Sequence, residues 1–420
     1  MTAVNLQRDD IGLSSLARGL VGSEILKVAA EIRALAEKGR SICNLTVGDF
    51  APSQFPIPKK LESLIEEALR AGETNYPPSD GIKELRQAVL QFMKEWLGLT
   101  YPLESTLIAC GSRPIIFAAF ESVVDRGDKV LYGVPSWNNN HYTYLAGGVP
   151  VEIEVGPETN FMLTADQIRP VVRDARLISI NTPLNPTGTV MSREQVAAIG
   201  QLLVDENSRR LASGERPLFL MWDQVYWMLT FGENKHYAPP QLVPESAQWT
   251  IFVDGISKAF AATGLRVGWT VAPAYITARM RDILGHVGAW APRAEQVAVA
   301  KFLGMRDEIE SFHEAMIRDL RARLDQLHSG FEEMRRDGLP VRAFTPQGAM
   351  YLSVQFQLAG RTNEEIRKLL LDRAGFAVVA FQAFGLKKDT GWFRLSAGAV
   401  SPREIDEGLG RVRKLLESLR

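Results

Sequence analysis

Six short apolar runs, STLIAC, KVLYGV, VPVEIEV, ARLISIN, RPLFLMW and WTIFVD, recur between Ser105 and Asp254. They are rich in β-branched residues, and most are separated by segments of helical periodicity or by Gly/Pro turns. This alternation reads as an α/β fold, with buried strands in a mostly parallel central sheet and helices on both faces. In such sheets ligands collect beyond the carboxyl ends of the strands. The residues that follow the runs are Gly111-Ser112-Arg113, Pro135-Ser136-Trp137, the stretch 181–188, Asp223-Gln224-Val225-Tyr226, and Ser257-Lys258. All five clusters are polar or carry Gly or Pro, and the topology would gather them on one edge of the sheet.

A length of 420 residues exceeds one typical core and predicts two domains. We expect an arm and part of a small domain over 1–50, a large α/β domain over 51–305, and a small α+β domain over 306–420. The arm holds a helix over 23–39: Ser23 can cap it, Ile25, Val28, Ile32 and Leu35 repeat at helical steps, and Gly39 can end it. A short strand then enters Gly48-Asp49. Helices are expected over 59–71 and 81–96, and the rigid stretch Thr74-Asn75-Tyr76-Pro77-Pro78 between them exposes Tyr76 to a partner surface. From Arg306 a long helix carries Ile309, Phe312, Met316, Leu320, Leu324, Leu327, Phe331 and Met334 along one face, which is core packing. The runs AMYLSVQF, FAVVAF and WFRLSAG read as strands, and a helix over 402–419 closes the chain.

The formal net charge of −1 gives no broad basic field for nucleic acid or an anionic membrane. The start, MTAVNLQRDD, lacks a basic stretch followed by an apolar run, and no segment holds 18 uninterrupted apolar residues. A cytoplasmic protein is the expectation. Cys43 and Cys110 stand far apart without a Cys-x-x-Cys spacing, so they read as small core residues, and no metal site is expected.

One stretch concentrates the chemistry: WTIFVDGISKAFAATGLRVGW, residues 249–269. An apolar run over 250–253 meets a turn at Asp254-Gly255, and Ser257-Lys258 then opens a small-residue segment. A lysine just past a buried strand, with a hydroxyl beside it and Arg266 eight positions on, suits an amine that forms a Schiff base near a bound phosphate. Taken alone, the lysine of a Ser-Lys pair reads as one of many surface lysines.

Four motifs in fixed order change that balance: Asn185-Pro186-Thr187-Gly188, Asp223-Gln224-Val225-Tyr226, Ser257-Lys258 with Arg266, and Phe393-Arg394-Leu395-Ser396. Over nearly the whole chain, from about Gly48 onward, the sequence resembles a fold-type I pyridoxal-phosphate enzyme. Within that group it is similar to the class I/II aminotransferases, on the bacterial aspartate aminotransferase branch. The resemblance implies pyridoxal 5'-phosphate bound to Lys258, which also carries the proton. Asp223 is placed at the ring nitrogen, where an anion holds the ring protonated; it could instead cap a turn. Asn185 and Tyr226 are assigned to the ring hydroxyl, and Trp137 to stacking on the ring. For the phosphate it implies Gly111, Ser112 and Arg113 at a helix N-terminus, Ser257, Arg266, and Tyr76 from the neighbouring subunit of a homodimer. Arg394 and a backbone N–H of Gly48 would take the substrate carboxylate, beside Asn185 and Trp137.

Arg113 stands where a lysine is common on that branch, and its guanidinium could pair with the distal carboxylate of aspartate or glutamate. It could equally be a surface group or strengthen the phosphate site. His141 does not keep the family's histidine spacing after Trp137, which puts a supporting role at Asp223 in doubt. The expected function is transfer of an amino group between a dicarboxylic L-amino acid and a 2-oxo acid such as 2-oxoglutarate, by a ping-pong mechanism. The alternatives are a broad-specificity or aromatic aminotransferase, a carbon–sulfur β-lyase, and a non-catalytic cofactor-binding scaffold.

Overall fold

All six apolar runs are strands, and a seventh that the pattern does not announce lies among them. After β1 (Cys43–Asn44) come β2 (Thr106–Ala109), β3 (Lys129–Val134), β4 (Val149–Glu154), β5 (Ala175–Asn181), β6 (Phe219–Asp223), β7 (Thr250–Gly255) and β8 (Gly268–Val271). The computed structural model describes residues 12–419, apart from Val21, Ser23 and Lys38. In the seven-stranded sheet the order is β2-β8-β7-β6-β5-β3-β4, and β8 alone runs antiparallel to both of its neighbours. Being reversed, β8 begins at the edge where the parallel strands end. Arg266, just before it, therefore arrives beside the loops that leave β2 and β7. The expected turn at Asp254-Gly255 is instead the end of β7, because both residues pair with β8.

Helices Ser112–Val123 and Ala274–Val287 pack on the seven-stranded sheet. Its central strands β6 and β7 have no exposed position, as expected where both faces are covered. Helices Lys59–Arg70 and Lys83–Leu97 pack against helix Arg293–Phe302.

The long helix Arg306–Arg336 buries the expected face, with Phe312 partly exposed. It lies against a four-stranded antiparallel sheet of order β12-β13-β10-β9, formed by β9 (Val341–Ala343), β10 (Tyr351–Phe356), β12 (Val379–Ala380) and β13 (Trp392–Ser396). The run FAVVAF is not one strand: β11 (Phe376–Ala377) pairs in parallel with β1, while β12 joins β13. The chain ahead of Gly48 thus contributes a strand beside the C-terminal elements. Helix Glu24–Glu37 rests on the same region through Ile32, packed on Leu371 and Ala377. Its expected cap, Ser23, lies outside the described residues, as does the start of the chain. The closing helix is Pro402–Glu417. Cys43 is buried as expected, but Cys110 is only half-buried, because it lies in the loop that opens onto the cleft described next.

Candidate active site

A cleft of about 440 Å³ lies at the carboxyl ends of the parallel strands, and all five loop clusters reach it. It is lined by four cationic side chains, Arg113, Lys258, Arg266 and Arg394, against two carboxylates, Asp49 and Asp223. Such an excess of positive charge suits an anionic ligand.

The loop after β2 turns at Gly111 (φ +81°), which stands immediately before helix Ser112–Val123. The backbone angle requires glycine, and a Cβ there would also push the Arg266 guanidinium aside. Arg266 itself sits in the left-handed region (φ +57°), unusual for a side chain of its size. It is held there by donating to Thr263 O at 2.8 Å and Cys110 O at 2.9 Å. The first turn of the helix, the Ser257 hydroxyl and the Arg266 guanidinium together have the chemistry of a phosphate cradle. Arg113, in the same turn, lies over the ring of Trp137, 4.7 Å from its centroid.

Lys258 lies in the short helix Ile256–Ala259 that follows β7, and its Nζ donates to Gly48 O at 2.8 Å. Burial, helped by the nearby Arg394, Arg113 and Arg266 charges, lowers its pKa to about 8 against the opposing pull of Asp49. Arg394, on β13, is 1% exposed. Its Nη1 donates to Asn185 Oδ1 at 3.1 Å and its Nη2 to Thr46 O at 2.6 Å, while Nε is buried without a partner. The guanidinium is packed between the rings of Tyr351 and Phe384, at 4.8 and 5.0 Å. Among the described residues no carboxylate pairs with it, so the alternative of a structural ion pair is not what holds Arg394. A Cβ on Gly48 would stand 3.2 Å from Tyr351 Oη and 3.5 Å from Arg394 Nη1, so this glycine keeps the space beside the guanidinium open.

Asp223 closes β6 with no cationic side chain paired to it among the described residues. Burial raises its carboxyl to about 7, opposed by the Val225 N–H, which donates to Oδ1 at 3.3 Å. That bond is the turn cap the sequence allows, and it coexists with a carboxylate facing the cleft. Asn181, at the end of β5, donates to Asp223 O and accepts from the Asn185 N–H, which ties the two loops together. Tyr226 Oη and Tyr351 Oη are 2.7 Å apart. No hydrogen bond joins His141 to Asp223; the neighbouring residue Tyr142 is the buried one, and burial pushes its phenol up to about 12, with Arg113 opposing and Asp223 adding to the rise.

Of the residues singled out from sequence, Gly48, Ser112, Arg113, Trp137, Asn185, Asp223, Tyr226, Ser257, Lys258, Arg266 and Arg394 line the cleft. Gly111 sits just behind it. Tyr76 is not among the lining residues: it is 81% exposed, with its ring edge-on to Trp290. Sequence reasoning missed Asp49, next to Gly48, and Tyr351, which stood unmarked inside a strand-like run.

The Aminotransferase class I and II family model matches residues 40–412. The chain belongs to the class I and II aminotransferases. The aminotransferase is 26% identical to an aspartate aminotransferase of Bacillus sp. (strain YM-2), an alignment covering 96% of this chain and 99% of that protein. It is 29% identical to the aspartate/prephenate aminotransferase of Thermus thermophilus, over 89% and 92%. Among solved structures, the Thermus thermophilus aspartate aminotransferase with maleate superposes with a TM-score of 0.86 at 27% identity, covering 96% and 99% of the two chains. An aromatic aminotransferase from Pyrococcus horikoshii gives 0.82 at 26% identity, over 92% and 99%. The aminotransferase therefore has the fold-type I architecture, and its enzymatic class is pyridoxal-phosphate-dependent amino transfer. No helix among the described residues is long and apolar enough to cross a membrane.

Proposed function

We propose that this enzyme moves an amino group between a dicarboxylic L-amino acid, aspartate or glutamate, and a 2-oxo acid such as 2-oxoglutarate, by a ping-pong cycle. The observation that carries the reading is the buried Arg394 guanidinium, which has an unpartnered Nε, no carboxylate mate among the described residues, and a place in the same cleft as Lys258. A buried cation without compensation is costly, and a ligand carboxylate satisfies it.

The residues fit pyridoxal 5'-phosphate: an uncompensated buried carboxylate at Asp223, a helix N-terminus with Arg266 beside it, and a lysine whose pKa is lowered to about 8. When bound, this cofactor supplies a ring that spreads negative charge from the substrate Cα. In our reading Asp223 keeps a proton on the ring nitrogen, and Asn185 and Tyr226 donate to the ring oxygen. Ser112, Ser257, Arg266 and the backbone at Gly111 hold the phosphate, completed by Tyr76 of a second copy in a homodimer. Trp137 stacks on the ring. Lys258 anchors the cofactor and then, as a neutral amine, takes and returns the Cα proton. Arg394, Asn185 and the Gly48 N–H orient the α-carboxylate. Arg113, a fork with no carboxylate partner among the described residues, takes the distal one. The division of the chain at 50/51 and 305/306 belongs to this same reading; the second boundary is the start of helix Arg306–Arg336.

A single-turnover screen of the cofactor-loaded enzyme against the common amino acids tests it. Aspartate and glutamate are expected to bleach the visible band fastest, and 2-oxoglutarate to restore it. Preferential bleaching by phenylalanine or tyrosine would move the assignment to an aromatic donor. Pyruvate and ammonia formed without a second substrate would replace transfer by elimination.

A further inference from the structure

We propose that Tyr351 is a positioning residue that sets how strongly Tyr226 donates its hydrogen bond, and thereby how readily the cofactor's ring oxygen ionises. The inference rests on the reading above, in which Tyr226 faces that oxygen. The two phenols come from different sheets: Tyr226 follows β6 in the seven-stranded sheet, and Tyr351 opens β10 in the four-stranded one. Both are buried, and their oxygens lie 2.7 Å apart.

Each phenol has one hydrogen to give. While Tyr226 has no other acceptor, either member of the pair can be the donor. Once Tyr226 turns its hydrogen toward a ring oxygen, the 2.7 Å contact persists only with Tyr351 donating and Tyr226 accepting. The hydrogens then run in one direction, from Tyr351 to Tyr226 to the ligand. Successive donors in a poorly polarisable interior strengthen one another.

The surroundings favour this arrangement. Tyr351 pairs with Ser396 in the β10–β13 register, and its ring lies against the Arg394 guanidinium at 4.8 Å. The charged and titratable groups that bear on Tyr351 are Arg394, Asp49 and Tyr226; those on Tyr226 are Tyr351, Arg394 and Asp223. Burial raises both phenols, so each keeps its hydrogen across the working pH range. Because Arg394 and Tyr351 are packed as one unit, the group that grips the substrate carboxylate also fixes the phenol behind Tyr226.

The test is the pH titration of the visible band of the cofactor-loaded enzyme. Removing a donor from the ionised ring oxygen makes the site hold its proton to higher pH. Tyr351→Phe keeps the ring on Arg394 and is expected to move the midpoint up by roughly 0.5 pH unit. Tyr226→Phe should move it further, and the double variant should match Tyr226→Phe alone, because Tyr351 acts through Tyr226. An unchanged midpoint in Tyr351→Phe, or shifts that add in the double variant, overturns the proposal. A purely structural role would lower the thermal midpoint and leave the titration in place. Should Tyr351→Phe fail to fold or load, 3-fluorotyrosine installed at position 351 keeps the hydroxyl and sharpens it as a donor. The midpoint should then fall, and no fall or a rise overturns the idea. A wild-type enzyme that shows no visible band with added cofactor defeats the reading of the site itself, whereas a titrating wild type with an indifferent Tyr351→Phe defeats only the role of Tyr351.

Discussion

Lys258 Nζ donates a 2.8 Å hydrogen bond to the carbonyl oxygen of Gly48, across 210 positions of sequence. The amine is thus held in the cleft by a neutral acceptor, and among the described residues no carboxylate pairs with it. With its pKa lowered to about 8, a substantial part of it is neutral in mildly alkaline solution. The neutral amine is the nucleophile, so cofactor capture by the apoprotein should accelerate as pH rises through about 8 and level off above it. Stopped-flow formation of the visible band measures this. A rate still climbing steeply near pH 10 would mean an ordinary surface lysine. Lys258→Ala should lose turnover by ~1000-fold or more while the fold is retained.

Two buried carboxyls lie on adjacent strands, Asp223 ending β6 opposite Val253 and Asp254 one step further along β7, each raised by burial to about 7. Gly255 N–H, Trp227 Nε1 and Gln224 Nε2 all donate to Asp254, and these bonds are not enough to offset its desolvation. A carboxyl raised in the folded state binds more protons there than in the unfolded chain. Its stabilising contribution is fullest below pH 4 and is lost as pH rises toward 7. The thermal midpoint of the apoprotein should therefore carry a downward component between pH 5 and 7.5, and Asp223→Asn should flatten it. Bound cofactor should flatten it too, since its ring proton keeps Asp223 usefully ionised. An equally steep fall in the variant would remove Asp223 from the account.

Arg113 rests on Trp137 with no carboxylate bound to its guanidinium among the described residues. A charge-assisted hydrogen bond lost to a substrate carboxylate is worth roughly 1.5–3 kcal/mol, so Arg113→Gln should raise KM for aspartate and glutamate by ~10-fold or more. Alanine as donor should be nearly unaffected. Steady-state kinetics with the three donors decides the matter. Equal losses on all three would place Arg113 with the phosphate instead.

Gly111 joins a positive φ to direct contact with Arg266. Gly111→Ala strains the turn whatever the space and also pushes on the guanidinium, at a cost of roughly 1–3 kcal/mol. We expect weaker cofactor binding, about 10-fold or more, with the overall fold kept. Equilibrium titration followed by cofactor fluorescence measures it, and unchanged affinity would show that Arg266 is free to move aside.

The distribution of what could be read from sequence has a physical cause. Residues that end strands of a parallel sheet can be located in the sequence, because a polar or Gly/Pro cluster after an apolar run marks the strand's carboxyl end, where both turns and ligand sites fall. Asp223, Lys258 and Asn185 were legible in this way, and Arg394 through its motif. Tyr351 was not, because inside a strand the alternation cannot say which face meets a ligand, and its partner Tyr226 lies 125 positions away. Asp49 was passed over since its effect is through space, on the lysine that its neighbour Gly48 binds. Strand β8 was hidden by its two-sided pairing: a short segment opening on Gly268 looks like the tail of the small-residue stretch before it. The split of FAVVAF between two sheets needs knowledge of β1, a strand of two residues.

Tyr76 supplies the last expected outcome. It is 81% exposed and is not among the residues lining its own chain's cleft, with Trp290 edge-on to its ring. A tyrosine in a Pro-flanked turn, presented outward, is available to complete a phosphate site on another copy of the chain, as the proposed function has it. If it does, each site of a dimer takes Lys258 from one subunit and Tyr76 from the other. Mixing Lys258→Ala subunits with Tyr76→Phe subunits should then regenerate one site that has both native groups in half-exchanged dimers. Cofactor affinity and turnover at that site should return to wild-type values. If Tyr76 served its own chain, every site in the mixed dimer would lack one of the two groups, and no recovery would be seen. Measuring turnover against the mixing ratio separates the two, since trans completion peaks at equal proportions and cis completion falls on the line between the parents.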